Sequence, residues 1–173
     1  SVLTLYLLPR FVLELRPRML AQLKPGARIV SHDYSLGDWE ADNAVTFDSP
    51  EKEVINGSGQ TSLFYYVVPA RVAGRWQFAL PEGLPRRSSE VIVQQAYQKI
   101  GASLPGAQGR PPKHPMLRGN RIELMLPVGT ASYLATGQVD GDRIEGTIEV
   151  GGRGKLPFTA TRTAPGRAVG WPE

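Results

Sequence analysis

The chain has 173 residues, enough for one domain or two small ones. Its residues are 41% apolar and 21% charged, which suits a buried core, and with no cysteine there is neither a disulfide scaffold nor thiolate chemistry. The net charge is only +4 and the cations are scattered, from Arg10, Arg16, Arg18, Lys24 and Arg28 to Arg86-Arg87, Arg110 and Lys113, so no nucleic-acid partner is expected; nor does any apolar run approach the ~20 residues of a membrane-spanning helix.

Nineteen glycines and fifteen prolines predict many turns and few long helices. Val2 to Leu8 is a nearly continuous apolar run closed by Pro9, the pattern of a parallel strand covered on both faces. The chain thus opens inside what reads as a buried strand, which suggests a piece of a larger sheet. Phe11, Val12, Leu15, Met19, Leu20 and Leu23 then fall at helical spacing. Pro17 divides them, so the expected helix runs from about Pro17 to Leu23 and stops at Lys24-Pro25-Gly26. Ala27 to Ser31 reads as the next strand, completing a strand–helix–strand unit.

Residues 40–60 read as polar turns, marked by Asp48-Ser49-Pro50 and Asn56-Gly57-Ser58-Gly59. Ser62 to Val68 is a strand by its aromatic and β-branched content, with Arg75 to Leu80 as its expected hairpin partner. Pro81 to Arg87 reads as a linker. Glu90 to Lys99 is a further strand candidate, and Gly101 to Gly119 reads as a long Pro- and Gly-rich loop.

After that loop the alternation is clean. Ile122, Leu124 and Leu126 share one face, as do Tyr133, Ala135, Gly137 and Val139, then Ile144, Gly146, Ile148 and Val150, then Phe158, Ala160 and Arg162. One face buried and one wet predicts an antiparallel sheet or small barrel. Asp140-Gly141-Asp142 is a hairpin signal rather than a calcium loop, which would need further oxygen ligands.

Few residues offer chemistry. His32 and Asp33 stand at the expected carboxyl end of one strand, and Tyr6-Leu7-Leu8-Pro9 at the end of another. In open sheets of parallel strands, ligands bind beyond such ends. The competing reading is that His32 and Asp33 only bond each other and cap the loop. A metal site would need more than His32, Asp33 and the distant His114, and no Gly-x-Ser-x-Gly elbow marks a hydrolase.

Thr4 to Trp39, TLYLLPRFVLELRPRMLAQLKPGARIVSHDYSLGDW, resembles the later half of a bacterial group of class I S-adenosylmethionine-dependent methyltransferases that share their style with protein-lysine methyltransferases. Leu5 to Pro9 looks like the family's segment after strand four, and Lys24 to Trp39 like strand five and its exit loop. Phe64 to Phe78 resembles the terminal hairpin of that domain. Gly137 to Arg162 resembles a β-rich extension carried by some members. The resemblance implies an α/β fold, the C-terminal half of a Rossmann-like methyltransferase sheet, over residues 1–80, followed by an antiparallel sheet or small barrel over 81–173. It implies that Leu5 and Tyr6 face the cofactor, that Leu7, Leu8, Pro9 and Trp39 line the substrate, and that His32 or Asp33 orients or deprotonates the acceptor.

The chain departs from the family where the methyl donor is held. No glycine-rich turn joins a strand to a helix, and Gly151-Gly152-Arg153-Gly154 sits between two expected antiparallel strands. S-adenosylmethionine is therefore expected to bind the complete enzyme and not this chain alone, with a missing N-terminal half or a second chain completing the sheet. The alternative expectation is a non-catalytic β-rich module that holds a partner or a small apolar ligand.

Overall fold

The computed structural model describes residues 1–57, 59–105 and 111–172. They divide into two compact units, one of residues 1–68 with the tail from Gly170, the other Pro69–Val169.

The first unit opens with β1 (Val2–Leu5), α1 (Pro9–Gln22) and β2 (Arg28–His32). β3 (Asn43–Asp48), α2 (Pro50–Asn56) and β4 (Gln60–Val67) follow. The four strands form one sheet in the order β1-β2-β4-β3. β1 and β2 are parallel, in register from Val2–Arg28 to Leu5–Ser31, while β4 lies antiparallel between β2 and β3.

Helix α1 begins eight residues before the start expected from the sequence. Pro9 occupies its first turn, where a missing N–H costs nothing, and the helix runs through Pro17. Val12, Met19 and Leu20 supply its buried face, so the apolar spacing outweighs the hydrogen bond that Pro17 cannot donate to Leu13. Residues 40–60 also hold more order than their polarity suggests. Every residue of β3 is exposed, which removes the alternation that marks a half-buried strand. The Asp48-Ser49-Pro50 turn signal is the start of α2, with Pro50 and Glu51 in the first turn and Gly57 in the left-handed conformation as its C-cap.

The second unit is built from β5 (Gly74–Ala79), β6 (Ser88–Ala96), β7 (Lys99–Ser103), β8 (Lys113–Arg118), β9 (Arg121–Val128), β10 (Ala131–Asp140), β11 (Arg143–Val150), β12 (Gly154–Pro165) and β13 (Ala168–Val169). The sheet order is β13-β6-β5-β12-β11-β10-β9-β8, with β7 on the far side of β6. Only the two-residue β13 pairs in parallel. β7 comes to lie beside β8, so eight strands curl into a nearly closed antiparallel barrel.

The α/β expectation is overturned. Two helices of 14 and 7 residues stand against thirteen strands, and the nine-stranded sheet dominates. Among the described residues only β1-α1-β2 joins parallel strands through a helix, and the period-two pattern that fills the rest of the chain decides the class. The expected hairpin of Ser62–Val68 with Arg75–Leu80 is likewise absent: β4 pairs with β2 and β3, whereas β5 pairs with β6 and β12 in the other sheet. The expected loop Gly101–Gly119 contains the end of β7 and all of β8, while its residues 106–110 lie outside the described residues.

The alternating faces of β9 to β12 are arranged as the sequence predicts, and Asp140–Arg143 closes the β10–β11 hairpin with Gly141 at φ 55°. The barrel interior is filled by side chains. Trp76, Leu126 and Ile148 are fully buried, and the rings of Phe78 and Phe158 stack with centroids 5.4 Å apart. Segment 70–73 lies outside any strand although Ala70, Val72 and Ala73 are buried, and two distant side chains supply much of its backbone bonding. Gln95 Oε1 accepts the N–H groups of Val72 (2.6 Å) and Ala73 (3.1 Å), and Gln95 Nε2 donates to the carbonyls of Ala70 and Tyr97, both at 2.8 Å. Arg162 donates to the carbonyls of Arg71 (2.8 Å), Ala73 (3.1 Å) and Gly141 (2.8 Å) while its guanidinium lies 4.8 Å from the Trp76 ring.

Gly137 and Gly146 face each other across β10 and β11. A Cβ on Gly146 would sit 2.1 Å from the Thr136 carbonyl oxygen and 2.6 Å from Gly137 Cα, both backbone atoms that cannot swing aside. Gly146→Ala is expected to destabilise the barrel by about 3 kcal/mol. Urea unfolding followed by tryptophan fluorescence measures it; a midpoint equal to that of the parent chain would show that the two strands do not approach this closely.

Candidate functional site

The parallel pairing of β1 and β2 fixes what stands at their carboxyl ends. One step beyond the Leu5–Ser31 pair come Tyr6 and His32, whose ring centroids lie 4.6 Å apart. Tyr6 is 79% exposed, while His32 is half-buried at the end of β2. The strand end thus presents a phenol and an imidazole side by side.

Asp33 follows in the left-handed conformation, φ 62°, which Asp tolerates better than most residues. That turn points its carboxylate back into the sheet. Oδ1 accepts the Ser62 N–H at 3.0 Å, and the Asp33 N–H donates to the Ser62 carbonyl at 2.7 Å. Oδ2 lies 2.5 Å from Lys52 Nζ and 3.3 Å from His32 Nδ1. Lys52 also donates to the Gln60 carbonyl, so α2 is fastened to β4 through the same group. Burial pushes the Asp33 pKa up, but the Lys52 hydrogen bond, the Ser62 N–H and the charges of His32 and Lys52 outweigh it, and the carboxyl is held below its ordinary value. A carboxylate so held is a weak base and a firm anchor. With Asp33 beside Nδ1, the other ring nitrogen of His32, Nε2, is the one available to a ligand.

Leu7, Leu8 and Pro9 are exposed along the turn into α1. Leu7 also borders a shallow groove of about 460 Å³ with Phe11, Glu14, Leu15 and Arg18. Leu5 is buried beneath the turn. Trp39 is not brought to this surface: it is fully buried against Tyr66, ring centroids 5.2 Å apart. The loop before it is pinned from two sides. Leu36 donates its N–H to the Tyr66 hydroxyl at 2.8 Å, and Arg16 donates to the Leu36 carbonyl at 2.7 Å while pairing with Asp38. His114 belongs to β8 in the other unit, and no cluster of three metal-ligating side chains occurs among the described residues.

Lys52 is the site residue that the sequence did not mark. It sits between Glu51 and Glu53 in a polar stretch, and only the packing of α2 on β4 carries it to Asp33.

These residues do not fit S-adenosylmethionine by themselves. The turn from β1 to α1 has no glycine, its N-cap Leu8 makes no side-chain cap and Pro9 has no N–H to offer a ligand. Asp33, the acid at the next strand end, has both oxygens engaged.

No family model matches the chain, and no curated protein matches it. Among solved structures it is similar to an RNA methyltransferase from Salinibacter ruber in complex with S-adenosyl-L-homocysteine, at 36% identity. That likeness covers 42% of this chain and 40% of the other, with a TM-score of 0.33. No helix among the described residues is long and apolar enough to cross a membrane.

The Asp33 anchor has a pH signature. Its folded pKa lies below the ordinary 3.8, so the stability it contributes is complete above that value and is lost as pH falls through the lowered one. Asp33→Asn keeps the left-handed turn and is expected to lower stability at pH 7 while flattening the stability profile between about pH 5 and pH 2. Lys52→Met is expected to raise the Asp33 pKa, read by NMR titration of the carboxyl carbon. An unmoved titration would mean that the ammonium does not hold this carboxylate.

Proposed function

We propose that residues 1–68 carry the acceptor side of an S-adenosylmethionine-dependent methyltransferase, and that the cradle for the methyl donor comes from polypeptide laid along the free edge of β1. The contact of Tyr6 with His32 beyond the ends of two adjacent parallel strands carries this reading, because such ends are where a sheet of this kind presents groups to a ligand. The likeness of Thr4 to Trp39 to methyltransferase sequences supports it. So does the sheet order, which leaves β1 paired on one side only, next to the exposed side chains of Val2, Tyr6, Leu7, Leu8 and Phe11.

In this reading each group has one task. His32 takes the proton of the acceptor at Nε2, a role suited to an imidazole near neutral pH. Asp33 positions that ring through Nδ1 and stays ionised. Tyr6 and the Leu7-Leu8-Pro9 turn shape the entrance and exclude water. An amine acceptor, a lysine side chain included, has to lose a proton before it attacks, and in this reading His32 receives it. The bound donor supplies an activated methyl group, and catalysis rests largely on positioning.

Calorimetry tests the division of labour. The 173-residue chain is expected to give no heat with S-adenosylmethionine, and the same chain joined to the coding segment upstream of Ser1 is expected to bind it in the micromolar range. Micromolar binding by the 173 residues alone, or none by the extended chain, would refute the proposal.

A further inference from the structure

The cations are unevenly divided between the two units. Residues 69–169 carry 14 Lys and Arg against 7 Asp and Glu, a net charge of +7. The remaining residues carry 6 against 9, a net −3. The barrel unit is therefore a polycation whose charge the overall balance of +4 conceals.

Its interior is packed with side chains, so a ligand must bind outside. A recess of about 550 Å³ lies there, where β5 and β6 meet the end of β7. It is lined by Gln77, Arg86, Ser88, Ser89 and Glu90, with Leu104 and Pro105 as its apolar wall. Glu90, the acid in this wall, is neutralised by Arg75 at 2.8 Å. Arg86 and Ser88 are exposed, and Arg86 has no acidic partner among the described residues. Next to the recess, Arg153 donates to the Glu82 carbonyl at 2.8 Å, bringing a further cation onto the same hairpin.

We propose that the barrel unit binds the phosphate backbone of single-stranded nucleic acid, with the recess of Gln77, Arg86, Ser88 and Ser89 as one phosphate seat. Donors without a facing free acid match a phosphodiester, and an excess of +7 attracts a regularly charged strand more than any single small anion. A membrane surface fits poorly. The large apolar side chains that this unit exposes among the described residues, Met116 and Val169, lie on separate strands and form no wedge. The proposal stands apart from the methyl-transfer reading, since binding is measured without a methyl donor.

Fluorescence anisotropy of a labelled 20-nucleotide RNA of mixed sequence, titrated with the full chain, tests it. Binding is expected at about 50 mM salt and should weaken about 20-fold by 200 mM, the loss for roughly three phosphates neutralised on a single strand. Arg86→Gln should weaken binding about 5-fold and lower the salt slope by about 0.7. Ser88→Asp, which places a carboxylate in the seat, should weaken it at least as much, and unchanged thermal melting of either variant confirms that the barrel is intact. Absence of binding at 50 mM salt, affinity indifferent to salt, full affinity in both folded variants, or equal binding to anionic phospholipid vesicles overturns the proposal.

Discussion

One buried carboxamide holds the entry of the barrel together. Ala70, Val72 and Ala73 lie outside any strand and yet are buried, so their peptide groups need partners from elsewhere. Gln95 bonds four of the surrounding backbone groups at once, using both lone pairs of its oxygen and both protons of its nitrogen. Arg162 does the same for carbonyls on the other side, and can be buried there because Asp142 offsets its charge at 2.8 Å. Leaving such groups unpaired would cost about 1–3 kcal/mol each. The course of the chain from the first unit into β5 is therefore dictated by side chains far along the sequence.

The barrel's second constraint is volume. Trp76, Phe78 and Phe158 crowd the interior, and the strands that face them compensate with glycine, Gly137 opposite Gly146. Close backbone approach at that pair leaves room for the Phe158 ring, which would stand 3.3 Å from a Cβ on Gly137. A packed interior of this kind directs function outward. The charge carried by the second unit is the feature on which the binding proposal rests.

The first unit obeys a different rule. Its chemistry comes from the parallel register of β1 and β2, which brings Tyr6 and His32 together at one end, and from the antiparallel β4, whose Ser62 locks Asp33. The two members of the His-Asp pair are held differently. Asp33 is the structural member, fixed by Lys52 and Ser62. His32 keeps one nitrogen beyond that lock. Trp39, which the sequence groups with them, belongs to the core, because Tyr66 and the pinned Leu36–Asp38 loop draw it inward.

Local patterns by themselves determined β5, β6 and β9 to β12, the Asp140–Arg143 hairpin and the strand–helix–strand start, since period two, period 3.6 and turn residues are properties of neighbouring positions, whereas β8 and the end of β7 lie in what reads as a loop. They misplaced what depends on partners. β3 is fully exposed and has no alternation to read, α1 runs through a proline because its apolar face is buried, and β4 and β5 look like a hairpin although each pairs with strands distant in sequence. The α/β class that the resemblance implies concerns the first 80 residues, whereas the balance of the whole fold is set by long-range pairing. The presence of His32 and Asp33 is legible in sequence, and so is the +7 carried by the unbroken stretch 69–169, but the Lys52 contact with Asp33 is not, because side chains remote along the chain become neighbours only when tertiary structure folds them together.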